Sequence, residues 1–195
     1  TGVSLPSLLS SRYFGVEESP QLNVYNRGGR RFLRQTNRTY DLIVLDAYRK
    51  DKVPFQLTTV EFMRLAERRL SDDGVLFANL ISAPSGPASK FYRAEYETMA
   101  RVFPQVYSFP TAGVSAVQNI EVVATKDPRR ITEAELRTRN ANRDIGIDLS
   151  REIDDYRTAP KTGDVPVLRD DRAPVSSLLD PMTGQRYVVE RNDNR

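Results

Sequence analysis

The spacing of apolar residues along the chain alternates between two periods. Leu42-Ile43-Val44-Leu45 is a short run, rich in β-branched residues and bounded by charge, and it predicts a fully buried strand of a parallel sheet. Residues 75–81 repeat the pattern after a turn at Asp72-Asp73-Gly74. Between the two runs, Phe62, Leu65, Ala66 and Leu70 recur at helical spacing on one face. Thr58 or Thr59 is placed to cap that helix, and Glu61 lies at capping-box distance from Thr58. A further strand is expected at 22–25, followed by a helical start at Arg30-Arg31-Phe32-Leu33. Leu5, Leu8, Leu9 and Tyr13 mark a helix over 1–14 that closes at Gly15. Downstream, a Pro/Ser/Gly loop at 82–89 precedes an amphipathic helix through Tyr92, Tyr96, Met99 and Val102, and two strands occupy 105–109 and 119–124.

Strands alternating with helices at these intervals predict an α/β fold built on a parallel sheet, with an antiparallel final pair. After Lys126 the character changes: a polar helix is expected over 131–143, another over 148–156, and then a tail containing VLRDDRAPVSSLL. The chain therefore divides, on this reading, into an α/β domain over 1–127 and a helical and irregular C-terminal extension over 128–195.

Composition narrows the chemistry. The 195 residues are enough for a sizeable core. A mean hydropathy of -0.52 is that of a soluble globular protein. No apolar run approaches the roughly 20 residues of a membrane span, and no signal-peptide plan is visible, so a cytoplasmic domain without direct membrane insertion is expected. The chain has neither Cys nor His. Disulfides, thiolate nucleophiles, a Ser-His-Asp triad and His/Cys zinc sites are excluded, no metal is expected, and proton transfer falls to Asp, Glu, Tyr or Lys. The net charge is +3, but the arginines are scattered among nearly as many acids, and the densest basic run, 27–34, interleaves a single aromatic, Phe32. Nucleic acid is not expected as a partner.

Asp46 closes the first apolar run. Ligands in open α/β sheets bind beyond the carboxyl ends of the strands, which makes Asp46 the first candidate for catalysis, against the plainer role of capping its loop. Tyr48, Gln56, Thr58 and Thr59 follow and are expected in the same crevice. Gly28-Gly29, between a strand and a helix, is either a tight turn or a place where backbone amides meet a ligand, and it is not a GxGxxG fingerprint. Asp170-Asp171 is either a solvated turn or a site for a basic substrate. Thr1 as an N-terminal nucleophile would need a flanking strand, whereas a Leu-rich helix follows it.

Taken together, RYFGVEESPQLNVYNRGGRRFL, YDLIVLDAYRKDKVPFQLTTVEF, LSDDGVLFANLI, FPTAG and RDDRAPVSSLL resemble the spermidine synthase (polyamine aminopropyltransferase) family, in particular the divergent bacterial branch often fused to membrane segments. The resemblance runs over most of 12–179. It implies a class I methyltransferase-like, Rossmann-type sheet and transfer of an aminopropyl group from decarboxylated S-adenosylmethionine to a diamine. No tightly bound cofactor is implied; decarboxylated S-adenosylmethionine, or S-adenosylmethionine itself, would be a co-substrate. By position, Asp46 matches the proton-accepting carboxylate. The resemblance further assigns substrate contacts to Tyr48, Arg49, Gln56, Asn79, Asp170 and Asp171, and nucleoside contacts to Gly28, Gly29 and Ala47.

Four departures shape the expectation. Arg49 stands where the family's loop carries a second Asp, Gly28 where an Asp contacts adenine, and Asn79 where a Gln helps hold the diamine. The family's first strand, glycine-rich cofactor loop and ribose-holding acid would lie upstream of Thr1. In the family's strand order, 3-2-1-4-5-7-6, this chain would supply strands 3, 4, 5, 6 and 7. It is therefore expected to be the C-terminal part of a longer polypeptide, tethered to the membrane where that polypeptide has a membrane-embedded N-terminal part, or to associate with another chain or with copies of itself to fill the gap. Two other functions stay open. One is a non-catalytic partner-binding or dimerising module; the other is a methyltransferase-like enzyme in which Arg49 selects an anionic acceptor. Arg49→Asp separates them, improving diamine binding only where an acceptor slot is otherwise intact.

Overall fold

The computed structural model describes residue 19 and residues 21–48, 52–112, 115–143, 146–156 and 159–188. The helix expected over 1–14 and the cation Arg49 fall outside these residues. The chain separates into two compact units, Thr1–Thr36 and Asn37–Arg195.

In the first unit, α1 (Gly29–Gln35) forms where the helical start was expected, with Gly28 at its N-cap. The strand expected at 22–25 does not form. Leu22 makes only an isolated bridge to Ser19, residues 23–26 are irregular, and Leu22 and Tyr25 stay exposed. A strand is defined by a continuous ladder with a neighbour, and an isolated bridge does not make one.

The second unit is organised by a four-stranded sheet in the order β1-β2-β4-β3. β1 (Tyr40–Leu45) runs parallel to β2 (Leu70–Ser82), while β4 (Gln118–Thr125) is antiparallel to both β2 and β3 (Gln105–Pro110). This is the 4-5-7-6 part of the strand order implied by the resemblance, with the antiparallel final pair in place. α2 (Val60–Glu67) joins β1 to β2, and α3 (Lys90–Ala100) joins β2 to β3. The apolar stripes of these helices, Phe62, Met63, Leu65 and Ala66 on α2 and Phe91, Tyr92, Tyr96 and Met99 on α3, are buried with Leu76, Ala78, Leu80, Ile120, Val122 and Ala124 of the sheet. Alternation along β2 and β4 sends every second side chain to that face.

Three expectations change in detail. α2 ends at Glu67, and β2 already begins at Leu70, so Asp72-Asp73-Gly74 is a bulge inside the strand, between Tyr40↔Leu70 and Leu42↔Val75. Gly74 is required there by close approach: a Cβ would lie 3.0 Å from Leu70 Cβ and from the Ser71 backbone. β1 is not fully buried, because Leu42 and Val44 are 56% and 52% exposed on the face opposite the helices. Farther along that face, α4 (Glu133–Asn142) and α5 (Ser150–Asp154) cover β3 and β4, with Phe109 and Tyr107 stacked near Tyr156. Arg137 ties the two helices through Glu133 and Asp154, 2.7 and 2.5 Å away.

The C-terminal segment closes the helical layer. Leu168 is fully buried, its carbonyl accepts from Val60 N (2.9 Å) and its N–H donates to Thr98 Oγ1 (2.9 Å). α6 (Val175–Leu179) follows and buries Val175, Leu178 and Leu179.

Candidate active site

Asp46 emerges at the carboxyl end of β1, one residue beyond the buried Leu45, and is exposed. Its Oδ1 accepts a hydrogen bond from Asn79 Nδ2 at 3.1 Å. Asn79 sits on the central strand β2, in the half-buried alternation with Phe77 and Ile81. Directly across the antiparallel ladder from Asn79 stands Glu121 on β4. Residues opposed in this way have Cβ atoms about 4.5–5.5 Å apart. Three polar side chains, from three strands, thus meet on the sheet face not covered by α2 and α3.

Their electrostatics are uneven. Burial first, and the neighbouring Asp46 carboxylate second, push the Glu121 carboxyl from 4.5 up to about 7. Glu121 Oε2 and Asn79 Oδ1 are both shielded from solvent and have no hydrogen-bond partner among the described residues. Buried oxygens without donors are uncommon in folded proteins and call for a reason. Glu121 also borders a cavity of about 350 Å³ between the sheet and α4 and α5, lined by Phe77, Phe109, Val123, Leu136 and Ile153. Nothing in the spacing of the sequence singled out Glu121. Its only signal was an acid within the apolar alternation of residues 118–125, and strand register was needed to pair it with Asn79.

The other candidates separate. Ala47 follows Asp46 and is exposed. Tyr48 turns inward: its hydroxyl lies 3.2 Å from both the Leu57 carbonyl oxygen and Glu95 Oε1, and its ring meets the edge of Phe91. Glu95, on α3, is fully buried, and desolvation raises its carboxyl well above the usual range; the same cause raises the Tyr48 phenol. Tyr48 therefore anchors the loop after Asp46 to α3. Gln56 is exposed on a single turn of 3₁₀ helix, Phe55–Leu57.

Thr58 and Thr59 are buried, not open to a crevice. Thr58 Oγ1 donates to the Phe55 carbonyl at 2.8 Å. The cap of α2 is Thr59, which accepts from Phe62 N at 3.3 Å and donates to Asp170 Oδ1 at 2.6 Å. Glu61, instead of closing a capping box, accepts from Asp170 N at 3.0 Å. Asp170 is thus engaged at the N-terminus of α2, while Asp171 is exposed. Gly28 and Gly29 belong to the first unit, neither has a positive φ, and a Cβ at either would meet nothing within 4 Å.

No family model matches the chain. Two curated proteins are similar in sequence. The polyamine aminopropyltransferase of Vibrio vulnificus is 33% identical over 106 residues, covering 53% of this chain and 34% of that protein. The probable polyamine aminopropyl transferase of Bifidobacterium longum is 31% identical over 118 residues, covering 60% of this chain and 26% of that protein. A probable spermidine synthase from Corynebacterium glutamicum shares the fold, with a TM-score of 0.58 at 15% identity over 97% of this chain and 61% of that one. Over about half of its length the chain is thus similar in sequence to polyamine aminopropyltransferases, and it shares the fold of a probable spermidine synthase. The matched stretches span about a third and a quarter of the two curated relatives. The spermidine synthase fold is shared in turn with human methyltransferase-like protein 13, solved in complex with SAH, at a TM-score of 0.55 and 18% identity over 80% of this chain and 70% of that one. An α/β, methyltransferase-like architecture is therefore common to all three. Among the described residues no helix is long and apolar enough to cross a membrane.

Proposed function

We propose that this chain carries the acceptor side of an aminopropyl-transfer site, with Asp46 as the base. The observation that supports it most directly is the hydrogen bond from Asn79 on β2 to Asp46 at the carboxyl end of the parallel neighbour β1, in a chain similar to polyamine aminopropyltransferases. In the reaction, the neutral nitrogen of the acceptor attacks the aminopropyl carbon of decarboxylated S-adenosylmethionine. The C–N bond forms, the C–S bond breaks with its electron pair going to the sulfonium sulfur, and methylthioadenosine leaves as a neutral thioether. The nitrogen becomes positively charged and gives one proton to the Asp46 carboxylate. Ala47 is assigned to the nucleoside in this reading, and Tyr48 holds the loop that carries Asp46.

The test is calorimetric titration of the chain with methylthioadenosine, S-adenosylmethionine and putrescine, singly and in pairs, alongside a turnover assay with decarboxylated S-adenosylmethionine. Binding of methylthioadenosine that tightens with putrescine is the expected result. Asp46→Asn should then lower turnover by about 10²–10⁴-fold without abolishing nucleoside binding. A preference for S-adenosylmethionine over methylthioadenosine with putrescine would favour the methyltransferase reading.

A second reading, a partner-docking or dimerising domain, is supported by Leu42 and Val44, apolar and exposed on the strand that ends the sheet. It predicts no binding of any of the three ligands.

A further inference from the structure

An acceptor that arrives as a dication needs more negative charge than Asp46 alone supplies, and the position three residues on is the cation Arg49. Glu121 stands opposite Asn79 on one side and opposite Phe109 on the other, on the face that borders the cavity beneath α4 and α5. Among the described residues its Oε2 and the Asn79 Oδ1 have no donor, and the Asn79 amide nitrogen is already bonded to Asp46. What such a group of acceptors lacks is N–H. An ammonium carries three N–H donors and a positive charge. A metal ion is a poorer occupant: no group of three or more acidic ligands is assembled among the described residues.

We infer that Glu121 is the second acid of the acceptor site, and that Glu121 and Asn79 receive the ammonium end of an alkyl diamine beside Phe77 and Phe109, while its neutral nitrogen meets the Asp46 carboxylate. This inference rests on the aminopropyl-transfer reading and specifies how its acceptor is held. The cavity walls set the orientation. The sheet wall carries Glu121, whereas the helical side carries Arg139, Arg143 and Glu152, with Arg139 engaged by Glu135 at 2.7 Å. An ammonium is drawn to the sheet wall, where Glu121 stands across from Asn79 and the Asp46 carboxylate bonded to it. The acid that the loop lacks at Arg49 is supplied from a different strand.

The experiment is titration of putrescine into the chain in the presence of methylthioadenosine, comparing wild type with Glu121→Gln, Glu121→Asp and Asp46→Asn. Methylthioadenosine affinity and thermal melting are measured for each variant. Glu121→Gln is expected to weaken putrescine by about tenfold to a hundredfold and to leave methylthioadenosine unchanged, while Glu121→Asp keeps most of the affinity. Unaltered putrescine affinity in Glu121→Gln, with a loss in Asp46→Asn, overturns this inference and leaves the aminopropyl-transfer reading standing. Binding of methylthioadenosine without putrescine by the wild type also overturns it. Binding of neither overturns both.

Discussion

Glu121 shows how far a fold can move one group. Burial and the Asp46 carboxylate carry its pKa from 4.5 to about 7, while Arg139, Arg143 and Glu152 face the same cavity. A carboxyl raised in the folded state stabilises the fold fully below about pH 4.5, and that contribution is lost as pH rises through about 7. Glu121→Gln should therefore match wild type in stability at pH 4 and exceed it at pH 8. Half-exposure and solvent screening reduce the full linkage value, leaving a gain of roughly 1–2 kcal/mol. Urea denaturation at the two pH values checks this, and equal differences at both would contradict it. At this scale Asp46 was readable in the sequence, because a charge closing an apolar run marks a strand end, whereas Asn79, inside its strand, was singled out only by the family resemblance. Tyr48 was expected in the crevice, yet burial turned it toward Leu57 and Glu95. A side chain's direction depends on what packs beside it, which local spacing does not contain.

Among the elements, α2 depends on one residue for two tasks. Thr59 caps its N-terminus and holds Asp170 of the C-terminal segment. Thr59→Ala removes the hydroxyl from both Phe62 N and Asp170 and should cost about 1–2 kcal/mol, with Thr59→Ser recovering most of it. Chemical denaturation of the two variants decides, and equal losses would show that the methyl group, not the hydroxyl, matters. The sequence placed a threonine at the start of this helix correctly, and left Thr58 and Thr59 as alternatives. Glu61 had capping-box spacing but was drawn to Asp170, 109 residues away in the chain. The same limit applies to β1. Its apolar run signalled a strand, but exposure of Leu42 and Val44 depends on what covers the second face of the sheet.

At the scale of the whole molecule, the C-terminal extension belongs to the core of the second unit. Leu168 is fully buried and bonds through its backbone to Val60 and Thr98. Leu168→Ala leaves those backbone bonds and opens a cavity, so a loss of about 2–5 kcal/mol is expected in equilibrium unfolding. A loss under 1 kcal/mol would mean that the segment is only draped over the helices. The sheet order β1-β2-β4-β3 brings Asp46, Asn79 and Glu121 together although the chain separates the first and last by 75 positions.

The sequence by itself determined the alternation of strands and helices, the antiparallel final pair, the carboxylate after the first strand and the exclusion of thiol and imidazole chemistry. These follow from local periodicity, from residue type and from resemblance to the spermidine synthase family. Only the tertiary structure decided that 22–25 would not be a strand, that Asp170 would cap a helix through Thr59, and that Glu121 would stand across from Asn79. Each of these depends on a neighbour distant in the chain, and hydrogen-bond pairing, burial and strand register are properties of the assembled sheet.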